Sequence, residues 1–374
     1  MMTNRERLLA IMDGKSPDRI PWIPRMLLWW LYHRNHGTLP KEYAGWRLRD
    51  IERDMGMGTA ARDGEVYSTA FTNVEVAVRR EGLDTVTEYI TPVGSVSSRM
   101  RRTARLDMAG IQPLEVEKLI KRPADYDVVM YIVENTHYFP TYDEYLLYEK
   151  DIGDDGYPMV RAGDCPFHYF LGDLTGYEKG YYDLADYPEK VEALLELITD
   201  VERERLWPIL ADAPARFYLH GLHFDSQLTP PKMFERYITP YYHEFTDLMH
   251  RHGKVIAMHA DNDSRRILEP LRDAGYDMVE CFTTAPMVNC TLEEARETWG
   301  TDVIIWGGVP SVILEETYPD EQFEQYMANL FKTVAPGDAF ILGVADNVTG
   351  TARLDRVLRI SEMVEEHGNY PITA

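Results

Sequence analysis

From about residue 158 onward, apolar and polar positions follow a repeating rhythm. Runs of consecutive apolar residues occur in PMVRAG, RFYLHG, KVIAMHAD, DMVECF, DVIIWGG and AFILGVAD. Short, nearly unbroken apolar runs of this kind predict strands covered on both faces. The segments between them carry hydrophobic residues at helical spacing, as in Val191, Leu194, Leu195, Ile198 and Val201. Asp186 with Glu189, and Thr291 with Glu294, predict helix N-termini. TPPKMFERYITPYYHEFTDLMHRHG predicts a helix kinked or broken at Pro240. SRRILEPLRDAG, DEQFEQYMANLFKTV and RLDRVLRISEMVEEHG complete the helical set. Strand then helix, repeated with short connections, predicts an α/β (β/α)8 TIM barrel in preference to an open doubly wound sheet. No GxGxxG follows any strand, which argues against dinucleotide binding.

The N-terminal part is patterned differently. Thr3 and Glu6 form a capping box, Leu8, Leu9, Ile11 and Met12 follow, and Gly14 stops the helix. Residues 15–150 scatter Pro and Gly among Tyr and Trp, and are expected to supply early strands with long excursions. Residues 1–374 therefore form a single barrel domain, with 1–150 as its irregular N-terminal part.

In a barrel of this kind, function resides at the C-terminal ends of the strands. There the sequence places His220, His223 and Asp225 after RFYL, and His259, Asp261 and Asp263 after VIAM. It places Glu280 and Cys281 in DMVECF, and Asp346 and Asn347 after FILGVA. Several of these have a structural explanation. Asp263 precedes SRRIL and reads as a helix N-cap. Cys281 and Cys290 read first as small buried hydrophobes. His220 is either a hydrogen-bonded core histidine or a catalytic group. His250 and His252 lie near a helix C-terminus, where a cation suits the dipole. The coincidence of His259 with Asp261, and with carboxylates on neighbouring strands, points to a metal or catalytic site.

Composition narrows the class. The hydrophobic fraction of 45%, with 24 Tyr and 7 Trp, supports a large core in 374 residues. The net charge of −23 argues against nucleic acid and against anionic membrane surfaces as partners. The apolar patch WIPRMLLWWLYHR is too short and interrupted to span a bilayer. The polar opening MMTNRERLL predicts no signal peptide. Three cysteines form neither a CxxC nor a disulfide framework, so a reducing cytoplasm is the expected compartment.

Read in order, NRERLLAIMDGKSPDRIPW, DLADYPEKVEALLELI, LTPPKMFERYITPYYHEF, HGKVIAMHADND and WGGVPSVIL resemble the uroporphyrinogen decarboxylase superfamily, most clearly from about residue 180 to the end. The resemblance implies a (β/α)8 barrel and one of two activities. True decarboxylases of this kind hold tetrapyrrole carboxylates through arginines in an RQAGR-like segment near the N-terminus. The corresponding segment here resembles IPRMLLWW, in which Arg25 remains among apolar and aromatic residues, so porphyrin decarboxylation is not expected. The second activity is corrinoid-dependent methyl transfer, in which zinc is held by a His-x-Cys motif and a later Cys. His259-Ala260-Asp261 falls on that motif, with Asp261 at the position of the first Cys and Asp346 near that of the later one.

The resemblance thus implies Zn2+ held by His259, Asp261 and Asp346, with Glu280 or Cys281 as further candidate ligands. Imidazole with carboxylates makes a harder Lewis acid than a thiolate-rich set, matched to an oxygen leaving group. The expected substrate is a small O-methyl compound, a methoxylated aromatic above all, with Asp225, His220 and Asn347 as candidate catalytic residues. Trp22, Trp29, Trp30 and Tyr32 either line a flat apolar pocket or belong to the core. The chain carries no D-x-H-x-x-G cobalamin segment, so the corrinoid is expected on a separate partner protein. A homodimer is a further expectation. The competing enzyme class is a metal-independent decarboxylase or lyase of a small carboxylic acid, with Asp225 or Asp346 as acid or base.

Overall fold

The fold was obtained as a computed structural model and is described for residues 1–373. Six parallel strands, β7 to β12 below, form a sheet whose order follows the chain. They are β7 (Val160–Arg161), β8 (Phe217–Leu222), β9 (Val255–His259), β10 (Met278–Phe282), β11 (Ile304–Pro310) and β12 (Phe340–Ala345). Two short staves close this sheet on itself. One lies at residues 21–23, where Ile23 N–H donates to Leu342 O and Leu342 N–H to Pro21 O, each at 2.9 Å. The other lies at residues 58–64. Gly58 N–H donates to Trp22 O at 2.9 Å on one side, and Gly64 N–H donates to Met159 O at 3.2 Å on the other. The result is the eight-stave (β/α)8 barrel that the strand–helix rhythm predicts.

Alternation along each stave sorts side chains into two layers. Ile23, Met159, Phe217, Leu219, Val255, Ala257, Met278, Ile304, Trp306 and Ile341 pack together as the lumen core. Leu8 and Ile11 of the first helix, Asn4–Met12, join that core, so the helix plugs one end of the barrel. Tyr218, Ile256, Met258, Val279 and Ile305 face the other way, into the helix layer. The Thr3 capping box opens the first helix, and Thr291 with Glu294 opens Leu292–Trp299 in the same manner.

Two expectations need correction. Asp186 does not cap a helix: it ends Tyr177–Asp186, and the next helix, Pro188–Val201, begins on a proline whose fixed φ suits that position. Residues 15–150 are also more regular than their composition suggests. The chain leaves the second stave and forms β1 (Tyr67–Phe71), β2 (Glu75–Glu81), β3 (Asp84–Thr91), β4 (Gly94–Arg101), β5 (Leu114–Glu117) and β6 (Thr136–Pro140). The middle four make an antiparallel sheet and β1 pairs with β6. Their exposed faces carry Thr, Arg and Glu, so no continuous apolar run marks them.

The expected break near Pro240 appears one turn upstream. Phe234–Ile238 is a wide π-turn before the helix Thr239–Arg251. Pro240 has no N–H to bond the Arg236 carbonyl, and the helix opens there. Trp22 and Trp29 belong to the hydrophobic core rather than to a pocket. No helix among the described residues is long and apolar enough to cross a membrane.

Candidate functional site

Side chains from six staves converge where the strands end. His259 and Glu280 continue the lumen columns of β9 and β10 and lie side by side in register. His259 Nδ1 donates to Glu280 Oε2 at 2.5 Å. Glu280 is fully buried, and its other oxygen accepts from Arg62 of the second stave. On the opposite edge of the His259 ring, Nε2 lies 3.3 Å from Asp346 Oδ1 and 3.7 Å from Asp261 Oδ2. Arg25, just beyond the first stave, donates to Asp346 at 2.5 Å. Asp261 Oδ1 accepts from His223 Nδ1 at 2.7 Å, and the His223 ring is half-exposed.

The backbone is shaped to make this convergence possible. On β10, Glu280 pairs with Trp306 while Phe282 pairs with Gly307, so Cys281 is an extra residue in a bulge. Gly307 permits the close approach, because a Cβ there would sit 2.7 Å from the Phe282 backbone. A bulge re-aims a side chain, and the Cys281 sulfur lies 3.4 Å from Asp346 O and 3.5 Å from the Arg25 guanidinium. His223, Cys281 and Asp346 all hold positive φ of 57–59°. Of six non-glycine residues with positive φ among those described, these three stand in the cluster and Ala61 precedes Arg62. Strain of this kind persists where surrounding structure demands it, and it marks functional sites.

Electrostatics follow from the same contacts. Burial alone would raise the Glu280 carboxyl, yet Arg62 and His259 hold it well below the ordinary carboxylate range. Burial likewise opposes ionisation of Asp346, but the His259 and Arg25 contacts outweigh it and depress its pKa strongly. Desolvation would push His259 toward neutrality, and the adjoining anions, Glu280 first, raise it well above the usual imidazole value instead. The Nε2 position between Asp346 and Asp261 therefore favours positive charge.

A divalent metal suits that position. With Nδ1–H committed to Glu280, Nε2 is the nitrogen left to ligate, and a carboxylate behind a ligating imidazole is the usual outer partner of such a ligand. Among the described residues, two groups could hold a cation: His259, Cys281 and Asp346, and His223, His259 and Asp261, each with donor atoms within 4.8 Å. Both share His259, and the expected trio of His259, Asp261 and Asp346 is divided between them.

Other expected residues fall elsewhere. Glu280 lies behind His259 rather than beside the candidate ligand atoms. His220 points into the helix layer, where its Nδ1 meets Tyr242 OH at 2.9 Å and its ring packs on Tyr241 and Phe245. A catalytic role for it has no geometric support. Asp225 closes a turn, its Oδ1 accepting from the Gln227 and Leu228 N–H groups at 2.7 and 3.1 Å. That engagement leaves it a turn-closing residue. Asp263 is not the N-cap expected of it: Ser264 holds that position before Arg265–Ile267, and Asp263 lies one residue earlier, accepting from the Arg265 N–H at 3.1 Å. Asn347 is buried beside Asp346 and supports its carboxylate. Arg62 is not among the sequence candidates for the site, and His223 is placed at the functional face without a role. His223 is legible as a strand-end histidine; Arg62 sits on a stave with no apolar run to reveal it.

Comparison with known proteins adds to this geometry. Residues 164–367 match the family model for "Uroporphyrinogen decarboxylase (URO-D)", a span that holds His223, His259, Asp261, Glu280, Cys281 and Asp346. A methyltransferase from Methanosarcina mazei has a similar structure, with a TM-score of 0.58 at 13% identity over 98% of this chain and 99% of that one. At that identity the likeness is one of fold. An uncharacterized amidohydrolase from Saccharomyces cerevisiae reaches a TM-score of 0.36 at 12% identity, over 65% of this chain and 68% of that one. No curated protein matches the sequence.

Proposed function

The chain belongs to the uroporphyrinogen decarboxylase family, and from that premise we propose that it is a zinc-dependent methyltransferase that removes a methyl group from a methoxylated aromatic compound and passes it to the corrinoid of a separate protein. The observation that carries this reading is the pose of His259. Its Nδ1 is tied to Glu280 and its Nε2 is aimed at Asp346 and Asp261, as a ligating imidazole with its outer partner would be. The fold shared with a protein named a methyltransferase supports it. So does the apolar character of IPRMLLWW, which keeps only Arg25 where the decarboxylase segment has two arginines.

His259 and Asp346 would hold the zinc, with a third donor from Asp261 or Cys281. When bound, zinc supplies a Lewis acid that neutralises charge developing on the leaving oxygen. The remaining residues orient and neutralise. Glu280 and Arg62 lock the His259 ring from behind. Arg25 balances the charge of Asp346. Asp261 fixes the ring of His223 through Nδ1, and in the imidazolium form His223 would carry a second proton on Nε2 to give to the departing oxygen.

The test uses the purified chain, a methoxylated aromatic compound and a separate corrinoid protein in its cob(I)alamin state. Zinc near one per chain, and methyl transfer that depends on the corrinoid protein, are expected. Demethylation at full rate by the isolated chain would overturn the proposal and favour a lyase.

A further inference from the structure

Three arginines occupy successive staves at the barrel mouth: Arg25, Arg62 and Arg161. The first two are each bonded to a carboxylate, Asp346 and Glu280. Arg161 is different. It lies on β7 in register with Leu219, a lumen residue. Met159, two positions earlier, also faces the lumen, while Val160 faces the helix layer. Arg161 therefore projects into the barrel. It is exposed, and it makes no ion pair among the described residues.

A cavity of about 300 Å³ surrounds it, lined also by Arg62, Asp63, Gly64, Glu65, Gly163, Leu219 and Leu222. That volume suits a ligand of about one ring, at the small end of ligand pockets. Leu219 and Leu222 give it an apolar wall, and Gly163, where a Cβ would meet nothing within 4 Å, leaves space. Its acidic residues, Asp63 and Glu65, are exposed and form no ion pair with Arg161. A free guanidinium inside the barrel of a chain with net charge −23 is a group without a partner of its own, and its planar fork matches a carboxylate. Arg62, which lines the same cavity and belongs to the network around His259, joins this cavity to the candidate metal centre.

We propose that Arg161 is the anion-binding residue of the substrate pocket, and that the substrate is a small aromatic carboxylate whose carboxylate docks on Arg161 with its ring against Leu219 and Leu222. This rests on the methyl-transfer reading for the methoxy group alone; the anion site itself does not require it.

The experiment is calorimetric titration of the full chain, with neither zinc nor corrinoid added. The probes are 4-methoxybenzoate, its neutral isostere 4-methoxybenzamide, and benzoate. The carboxylates are expected to bind at least about 10-fold more tightly than the amide, as a charge-assisted bidentate pair implies. Arg161→Gln should abolish that difference, and Arg161→Lys should retain part of it. Thermal melts check that both variants fold. Equal binding of 4-methoxybenzoate and 4-methoxybenzamide, or carboxylate binding unchanged in Arg161→Gln, would overturn the anion site and leave methyl transfer intact. Binding of benzoate that depends on Arg161, with no methyl transfer in the corrinoid assay, would support the anion site and remove the methyl-transfer reading. No binding of any carboxylate would overturn the proposal.

Discussion

Two buried histidines on neighbouring strands, His220 on β8 and His259 on β9, are 1% and 2% exposed, yet their surroundings drive them in opposite directions. His220 lies among Tyr241, Tyr242 and Phe245, and burial lowers its pKa to about 4. His259 lies among Glu280, Asp346 and Asp261, and its pKa is raised well above the ordinary value despite the cost of burial. Depth alone does not decide what a histidine does. The layer it faces decides, because one layer supplies aromatic rings and the other supplies carboxylates.

The comparison breaks most sharply at His259. His259→Ala should remove the bound zinc and lower methyl transfer by at least ~100-fold, beyond the usual range for outer-shell changes. Zinc content by elemental analysis and the corrinoid-coupled rate check this together. Full zinc with full activity would mean that the lumen histidine is as structural as its neighbour.

Glu280→Gln asks whether the lumen network acts through the imidazole. It keeps the shape but removes the charge behind Nδ1 and leaves Arg62 without its anion. Zinc affinity should fall by ~10–100-fold, read by competition with a chelator. An unchanged affinity would show that Glu280 only neutralises Arg62.

His220→Phe tests the other layer. Zinc content and rate should stay within about twofold of wild type. Stability should change its dependence on pH. A histidine whose folded pKa lies below its unfolded value binds more protons when unfolded, so it destabilises the fold as pH falls from about 6.5 toward 4. A shift from 6.5 to about 4 corresponds to about 3 kcal/mol in total. Urea unfolding at pH 7 and pH 5 should therefore show a smaller loss of stability on acidification in His220→Phe than in wild type. An identical loss would mean that His220 is not held neutral.

The smallest effect is expected at Asp225. Asp225→Ala removes two hydrogen bonds that close a turn, at a cost of about 1 kcal/mol in chemical denaturation. Activity should change by less than twofold. A much larger loss would return Asp225 to the active site.

Much of this molecule can be read without coordinates. The strand–helix rhythm after residue 158, the capping boxes at Thr3 and Thr291, and the gathering of His259, Glu280 and Asp346 at strand ends all follow from local pattern. Local pattern suffices there because caps, periodicity and strand order are properties of short segments. It does not suffice for the layer a residue faces. RFYLH and VIAMH look alike, since strands covered on both faces have no polar side to mark the lumen, and only closure of the barrel sends His220 outward and His259 inward. Nor does it suffice for Arg25 and Arg62, which come from staves of a few residues held by a few backbone hydrogen bonds to β12 and to the start of β7, without hydrophobic runs of their own. Cys281 enters the cluster through a bulge that depends on the approach of Gly307 from the next strand. These features exist only between segments distant in sequence, so the tertiary structure had to decide them.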